Sequence, residues 1–386
     1  MARVARRMAE IEPFHVMELL ARARELEAQG RSVVHMEIGE PDFPTPAPVV
    51  RAGIKALERG EVHYTPAQGL PQLREAIAAF YHSRYGVRVP ASRIIVTTGS
   101  SAALMLACAA LIDPGDEVLL ADPGYPANRH FVRVVDGVPR AVPVTAADGY
   151  QLAPAHLERA WGTRTVAAIV ASPSNPTGTL VSTERLSAMA EFARERGGTL
   201  IVDEIYHGLV YEGDYTTALS FSENVFVINS FSKYFQMTGW RLGWMVAPPE
   251  YVREIDKLAQ NLYLAPPTVA QHAALAAFEP ETLAILEARA QEFRARRDYL
   301  VPALRGLGFE IPVMPQGAFY VYAGCGKLTK DSFVFARDLL EQAGVAVTPG
   351  IDFGANAPER HVRFAYTSSI ERLKDGVERI ARFLKA

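Results

Sequence analysis

One lysine lies in an otherwise apolar stretch, SFSKYFQMTGWRLGW, at residues 230–244. Burying a lone ammonium is costly, so Lys233 is either a surface side chain or a neutral, reactive amine. Ser230 and Ser232 precede it, and Arg241 follows eight residues later. Hydroxyls and a guanidinium suit a phosphate dianion. The stretch therefore predicts that a nucleophilic amine lies beside a phosphate-binding site.

Other polar side chains come directly after apolar, strand-like segments. Asn175 follows TVAAIVASP, Asp203 ends TLIVD, and Tyr206 lies three residues further on. Ser100 and Ser101 follow RIIVTTG, where a helix is expected to begin. Ligands of open α/β sheets bind at the carboxyl ends of the strands. We therefore expect these side chains to converge, and the free N–H groups of the helix to offer a further phosphate contact.

Short segments rich in valine and isoleucine alternate with amphipathic ones through the middle of the chain. The former are apolar at consecutive positions, which is typical of strands buried on both faces of a mostly parallel sheet. Residues 16–29 and 183–196 show helical spacing instead. A chain of 386 residues is too long for one ordinary core.

We accordingly predict an α/β protein with three parts. Residues 45–285 would form a large domain that binds a cofactor, and residues 286–386 a smaller α+β domain. Residues 1–44 would form an N-terminal arm and a helix that packs against the small domain.

The composition excludes several classes of protein. Hydrophobic residues make up 49% and charged residues 22% of the chain, as in soluble globular proteins. The net charge is -3 and no basic stripe is present, which argues against nucleic-acid binding. No run approaches the ~20 apolar residues of a membrane span. Two cysteines suit reduced thiols in the cytoplasm, and the histidines, His207 among them, show no metal-ligand spacing.

A phosphate site beside a nucleophilic lysine points to Schiff-base chemistry with pyridoxal phosphate. Lys233 would hold the cofactor covalently, and an ionised Asp203 would keep the pyridine nitrogen protonated, so that the ring acts as an electron sink. Tyr206 and Asn175 would donate hydrogen bonds to the phenolic oxygen of the ring. Tyr125, in ADPGYP at another strand end, could stack on the ring face.

The motifs together resemble a known family, the class I/II pyridoxal-phosphate aminotransferases of fold type I, which are similar to aspartate aminotransferase. The ordered set that carries the resemblance is IGEPDFPTP, HYTPAQG, SNPTG, DEIY, SFSKYFQMTGWRLGW, PQGAFY and HVRFAYT. It extends from about residue 14 to the end of the chain. The resemblance implies a large domain built on a mostly parallel sheet of seven strands, flanked by helices.

The resemblance also implies roles for single residues. Lys233 matches the catalytic Schiff-base lysine, and Asp203 and Tyr206 match its partners in catalysis. Arg363 matches the arginine that holds the substrate α-carboxylate, with help from Asn175 and the backbone of Gly39. The phosphate ligands would be Ser100, Ser101, Ser230, Ser232 and Arg241. Tyr64 matches a tyrosine that reaches the phosphate of the neighbouring subunit, which implies a homodimer.

The predicted reaction is transfer of an amino group from an L-amino acid to a 2-oxo acid, with 2-oxoglutarate as the expected acceptor. A β-lyase acting on cysteine-derived substrates has the same fold and motifs and remains an alternative. A non-catalytic sensor that binds the cofactor is a second alternative. Regulators of that type carry an N-terminal DNA-binding domain, and only about 14 residues precede the matched region here, which argues against this alternative.

The donor amino acid is less well defined by the sequence. Aspartate-type relatives often have a lysine in the glycine turn at the phosphate-side helix, where this chain has GSSAAL. Arg129 could read a distal carboxylate or could be a surface arginine. Leu262 and Tyr263 are expected to reach across the dimer and to add apolar surface. These features favour a neutral or aromatic donor.

Overall fold

The computed structural model describes residues 3–385. Its strands, in chain order, are β1 (Val34–His35), β2 (Ile94–Thr97), β3 (Glu117–Asp122), β4 (Val138–Pro143), β5 (Thr165–Ala171), β6 (Thr199–Asp203), β7 (Phe226–Ser230), β8 (Gly243–Val246), β9 (Tyr320–Gly324), β10 (Val345–Ala346), β11 (Thr348–Pro349) and β12 (His361–Ala365).

The α-helices of the same residues alternate with the strands through most of the chain. They are α1 (His15–Ala28), α2 (Ala47–Glu58), α3 (Pro71–Tyr85), α4 (Gly99–Leu111), α5 (Pro126–Val134), α6 (Pro154–Ala160), α7 (Thr183–Glu195), α8 (Val252–Leu262), α9 (Thr268–Leu275), α10 (Pro280–Gly306), α11 (Ser332–Asp338) and α12 (Ile370–Phe383).

The large sheet has seven strands in the order β2-β8-β7-β6-β5-β3-β4. Strand β8 is antiparallel to both of its neighbours, and the other pairs of the sheet are parallel. Its two faces are both buried. Along β7, Phe226 and Ile228 face one apolar cluster and Val227 faces the other. The predicted α/β class and the mostly parallel sheet are confirmed.

Two strands of this sheet carry little sequence signal of their own. Strand β4 lies at an edge of the sheet, contains Pro139 and Pro143, and is largely exposed at Arg140. Prolines are tolerated on edge strands because no hydrogen bond of the ladder is lost there. Strand β8 lies directly behind the arginine of the lysine motif. Its four residues are apolar and buried, but they continue the lysine motif without a break, so the sequence does not separate them as a strand.

A smaller antiparallel sheet, in the order β11-β12-β9, is formed by the C-terminal part of the chain. Strands β1 and β10 form a parallel pair beside it, and α1 packs against β10 and β11. Arg22 of α1 forms an ion pair with Glu341 in this part at 2.6 Å. The predicted boundary after residue 285 falls inside α10, a helix of 27 residues. The division into domains stays a prediction.

Within residues 3–385, no helix combines the length and the apolar character that a membrane span requires. Cys108 and Cys325 are both buried and free. The cytoplasmic location, which was inferred from the use of cysteine, stays a prediction.

Candidate active site

The carboxyl ends of β2, β5, β6 and β7 open into one cavity of about 480 Å³. Parallel strands end at the same edge of a sheet, so the polar residues that follow them are brought together. Most of the predicted site residues line this cavity: Gly39, Ser100, Ser101, Tyr125, Asn175, Asp203, Tyr206, Ser232, Lys233, Arg241 and Arg363. Ser230 and Tyr64 do not line it.

The Lys233 amine points into the cavity. Its Nζ donates a hydrogen bond to the carbonyl oxygen of Gly39 at 2.6 Å and lies 5.7 Å from the centre of the Phe319 ring. Burial lowers the pKa of Lys233 to about 8, and the nearby guanidinium of Arg363 acts in the same direction. The opposing charge of Glu40 raises this pKa in part. A neutral, nucleophilic amine is therefore accessible near neutral pH.

We expect covalent capture of pyridoxal phosphate by the cofactor-free protein to accelerate with pH and to level off above about pH 8. Nζ must be unprotonated to attack an aldehyde, and the lowered pKa of Lys233 moves that titration down from about 10.5. Borohydride trapping at a series of pH values, read as the mass of the chain, measures the rate. A rate still rising at pH 10 would show that the lysine has an ordinary pKa.

The Asp203 carboxyl is buried at the end of β6. Its Oδ1 accepts a hydrogen bond from the backbone N–H of Ile205 at 3.1 Å. Burial raises the pKa of Asp203 to about 6, and the charge of Lys233 opposes that rise. A buried carboxylate is costly without a cationic partner, and a protonated pyridine nitrogen would be such a partner.

Tyr206 and Tyr320 form a hydrogen-bonded pair, with their hydroxyl oxygens 2.9 Å apart. Burial raises the pKa of Tyr206 well above its ordinary value, so the phenol stays a hydrogen-bond donor. Gly39 packs so closely on Tyr320 that a Cβ there would overlap the hydroxyl of the tyrosine. This contact explains why the IGEPDF motif requires a glycine at that position.

The Arg363 guanidinium is buried and held on several sides. It donates to Asn175 Oδ1 at 2.9 Å and to Thr348 Oγ1 at 3.2 Å. The rings of Tyr320 and Phe353 contact it with centres 4.4 and 4.9 Å from Cζ. A planar guanidinium fixed in this way is pre-organised to bind a carboxylate with two parallel hydrogen bonds.

The opposite side of the cavity offers groups that suit a phosphate. Helix α4 begins at Gly99 and presents Ser100 and Ser101 on its first turn. The Arg241 guanidinium lies against this turn, since a Cβ at Gly99 would be 2.6 Å from Nη2. The N–H groups of a helix N-terminus, hydroxyls and an arginine together form an anion site.

Ser230 differs from its predicted place. It is fully buried at the end of β7, and its Oγ donates to Ser232 Oγ at 3.0 Å. Ser230 is the last residue of β7 and lies beneath the cavity wall, whereas Ser232 lies in the turn after the strand and lines the cavity. In this chain Ser230 orients the hydroxyl of its neighbour.

Two further predicted residues lie outside the cavity of Lys233. Tyr64 is 82% exposed and borders a separate surface hollow with Leu264. Arg129 lines an adjoining cavity, where its Nη2 lies 3.6 Å from Glu12 Oε2. That ion pair gives Arg129 a role in holding the N-terminal segment.

Some residues that line the cavity were not identified as site residues from the sequence. Tyr320 ends the motif PQGAFY, and Phe353 follows β11, so the fold alone brings them to Arg363. Phe14, Val16 and Met17 form an apolar wall at the start of α1. The helical spacing of α1 predicts its buried face but not that its first turn borders the site.

The geometry fits the groups of pyridoxal phosphate one by one. The chain presents an amine of lowered pKa, a buried carboxylate for the pyridine nitrogen, a buried phenol for the phenolic oxygen and an anion site for the phosphate. The seven-stranded sheet and this donor set define a pyridoxal-phosphate enzyme of fold type I.

Residues 31–380 match the family model of aminotransferase class I and II, and the chain belongs to that family of pyridoxal-phosphate-dependent enzymes. It therefore catalyses amino-group transfer. It is 41% identical to a (5-formylfuran-3-yl)methyl phosphate transaminase from Methanocaldococcus jannaschii over 99% of both chains.

Solved structures agree with this assignment. An aminotransferase from Mycobacterium tuberculosis has a TM-score of 0.97 at 37% identity, with 100% of both chains covered. A protein from Methanococcus jannaschii, described as similar in its active site to kynurenine aminotransferases, has a TM-score of 0.91 at 41% identity. That comparison covers 99% of this chain and 100% of the other.

Proposed function

We propose that the enzyme moves the amino group of a neutral or aromatic L-amino acid to a 2-oxo acid. The observation that carries this choice of donor is the wall beside the Lys233 amine, formed by Phe14, Val16, Met17, Ile38 and Leu104. Among the described residues that line the cavity, the only lysine or arginine side chains are those of Lys233, Arg241 and Arg363. Arg241 is already assigned to the phosphate of the cofactor, and Arg363 to the α-carboxylate of the substrate.

Recognition of the substrate begins with its α-carboxylate. Arg363 and Asn175 bind this group, and the bidentate hold orients the bond between Cα and its hydrogen toward the amine of Lys233. The rings of Tyr320 and Phe353 keep the guanidinium in place. Truncating either ring would therefore weaken the binding of the substrate α-carboxylate without removing the charge of Arg363.

Lys233 then acts as the general base and acid. Bound pyridoxal phosphate supplies an electron sink for the charge that develops at Cα. The neutral Nζ would take the proton from Cα and deliver it to the carbon on the other side of the substrate nitrogen, and the Gly39 carbonyl, which accepts a hydrogen bond from Nζ, would help to hold the amine in place. Asp203 would stabilise the positive charge on the ring nitrogen of the cofactor, and Tyr206 would donate a hydrogen bond to its phenolic oxygen.

One solved relative supports this choice of donor. The Methanococcus jannaschii structure is described as similar in its active site to kynurenine aminotransferases, and kynurenine is an aromatic amino acid. For the acceptor we propose 2-oxoglutarate, which rests on the family resemblance. The described residues that line the cavity include only two arginines, Arg241 and Arg363, so a distal carboxylate has no arginine of its own among them, and pyruvate is the acceptor to compare with 2-oxoglutarate.

A panel of amino donors tests the proposed function. We expect phenylalanine and leucine to give kcat/KM at least about tenfold above aspartate, because burying apolar side-chain surface is favourable and an unpaired carboxylate is costly. Coupled assays with 2-oxoglutarate and with pyruvate measure both the donor and the acceptor. A preference for aspartate would contradict the proposed donor, and release of ammonia and pyruvate from cysteine-derived substrates without amino transfer would indicate a β-lyase.

We further propose a homodimer in which Tyr64 reaches the phosphate site of the partner subunit. In a single chain this side chain is exposed and lies away from the Lys233 cavity, and Leu262 and Leu264 are exposed in the same region. Exposed apolar side chains of this kind favour an interface.

Mixing two inactive variants tests the partner contribution. Tyr64→Ala and Lys233→Ala homodimers should each be impaired, but a heterodimer would contain one site with both native residues. We expect co-expression to restore about half of the native activity per heterodimer. No restoration would show that Tyr64 acts within its own subunit.

A further inference from the structure

Helix α1 begins without a capping side chain of its own. Phe14 is its N-cap residue and makes no side-chain hydrogen bond to the helix. Instead Asp352 supplies the cap from a distant part of the chain. Its Oδ1 accepts from the backbone N–H of His15 at 2.9 Å, and its Oδ2 accepts from that of Val16 at 3.0 Å. A carboxylate here satisfies two unpaired N–H groups and complements the helix dipole.

The position of Asp352 connects two walls of the active site. It is 3% exposed and lines the Lys233 cavity. The next residue, Phe353, packs on the Arg363 guanidinium. On its other side, the turn that Asp352 caps carries Phe14, Val16 and Met17 into the same cavity. The carboxylate site and the apolar wall therefore meet at this one side chain.

The segment before α1 has weaker anchors. Arg7 pairs with Asp136 at 3.0 Å and Glu10 with Arg133 at 2.8 Å, and all four side chains are about one-third to one-half exposed. Exposed ion pairs of this kind contribute little to stability. The hydrogen bonds of Asp352 therefore fix the first turn of α1 more firmly than these ion pairs do.

We propose that Asp352 is a positioning residue that fixes the first turn of α1 as the wall for large apolar donor side chains. It acts through Val16 and Met17 and sets the preference of the enzyme for donor size. This role rests on the proposed function, because it presupposes that the wall contacts the side chain of the donor.

The test compares Asp352→Ala with Asp352→Ser and with a matched control. Asp331 is the N-cap residue of α11, where its Oδ1 accepts from the backbone N–H groups of Phe333 and Val334 at 2.8 and 3.1 Å, and it does not line the cavity. We expect Asp352→Ala to raise KM for phenylalanine roughly fivefold or more, and KM for alanine less than about twofold. Serine, which can still accept one of the two hydrogen bonds, should rescue part of the effect. Asp331→Ala should leave the ratio of the two KM values unchanged.

A double-mutant cycle separates positioning from general destabilisation. Met17 is 54% exposed, so Met17→Ala should fold normally. If Asp352 acts through the wall, its effect on KM for phenylalanine should be smaller in the Met17→Ala background. Additive effects, or an equal rise of KM for both donors, would overturn the role in specificity.

Hydrogen exchange measures the positioning without reference to activity. The amides of residues 14–20 should exchange faster in Asp352→Ala than in the native protein or in Asp331→Ala. If these amides exchange at the native rate in Asp352→Ala, the positioning role of Asp352 is wrong, and the proposed donor is unaffected. A native enzyme that transfers no amino group from phenylalanine or alanine would overturn the proposed donor, and with it the specificity role, whatever the exchange shows.

Discussion

Lys233→Ala should lower turnover by roughly 10⁴-fold or more and abolish covalent retention of pyridoxal phosphate. The variant loses both the nucleophile and the general base, and each function alone contributes orders of magnitude. The buried cavity around Nζ offers no other lysine among its described lining residues. Borohydride reduction followed by mass measurement of the denatured chain should show the cofactor on the native protein and not on the variant.

The exposed Lys257 on α8 provides the control, because it lies outside the cavity. Lys257→Ala should keep native turnover and native retention of the cofactor. Full turnover by Lys233→Ala, or trapping of the cofactor on another lysine, would refute the role of Lys233.

Asp203→Asn should lower kcat about 10²- to 10³-fold while the protein stays folded. An amide of the same shape removes the charge that stabilises a protonated pyridine nitrogen, and pre-organised electrostatic partners in active sites are commonly worth this factor. Burial already raises the pKa of Asp203 to about 6, so a cation nearby stabilises the ionised form of this carboxyl. Steady-state kinetics and the affinity for added cofactor measure the loss.

Asp203→Glu is the matched variant, since it keeps the charge and changes only the reach of the side chain. We expect its kcat to lie between the native value and that of Asp203→Asn. Equal losses in both variants would mean that geometry matters more than charge at this position. Native activity in Asp203→Asn would refute an electrostatic role.

The local chemistry of the site was predictable because it lies in short, continuous motifs. Lys233 and Arg241 are eight residues apart in one segment, and Asp203 and Tyr206 share another. Strand ends place such residues on one edge of a parallel sheet whatever the order of the strands. The family and the cofactor follow from these residues, and the comparisons confirm both.

Contacts between distant segments could not be predicted in the same way. The packing of Tyr320 and Phe353 on Arg363 depends on how β9 and the turn after β11 come together. The burial of Ser230 beneath the cavity depends on where β7 ends and the turn that carries Ser232 begins. The ion pair between Arg129 and Glu12 depends on the path of the N-terminal segment, and no motif in the sequence indicates that path.

Periodicity and short motifs are local properties of a chain, so they were enough to predict the α/β class, the family and most of the residues that line the Lys233 cavity. Only the tertiary structure decided which residues surround the donor side chain. Asp352 and the turn that it caps lie more than 330 residues apart in the chain and meet through two hydrogen bonds. Such a contact depends on the packing of α1 against the C-terminal strands, and it leaves no pattern in either segment alone.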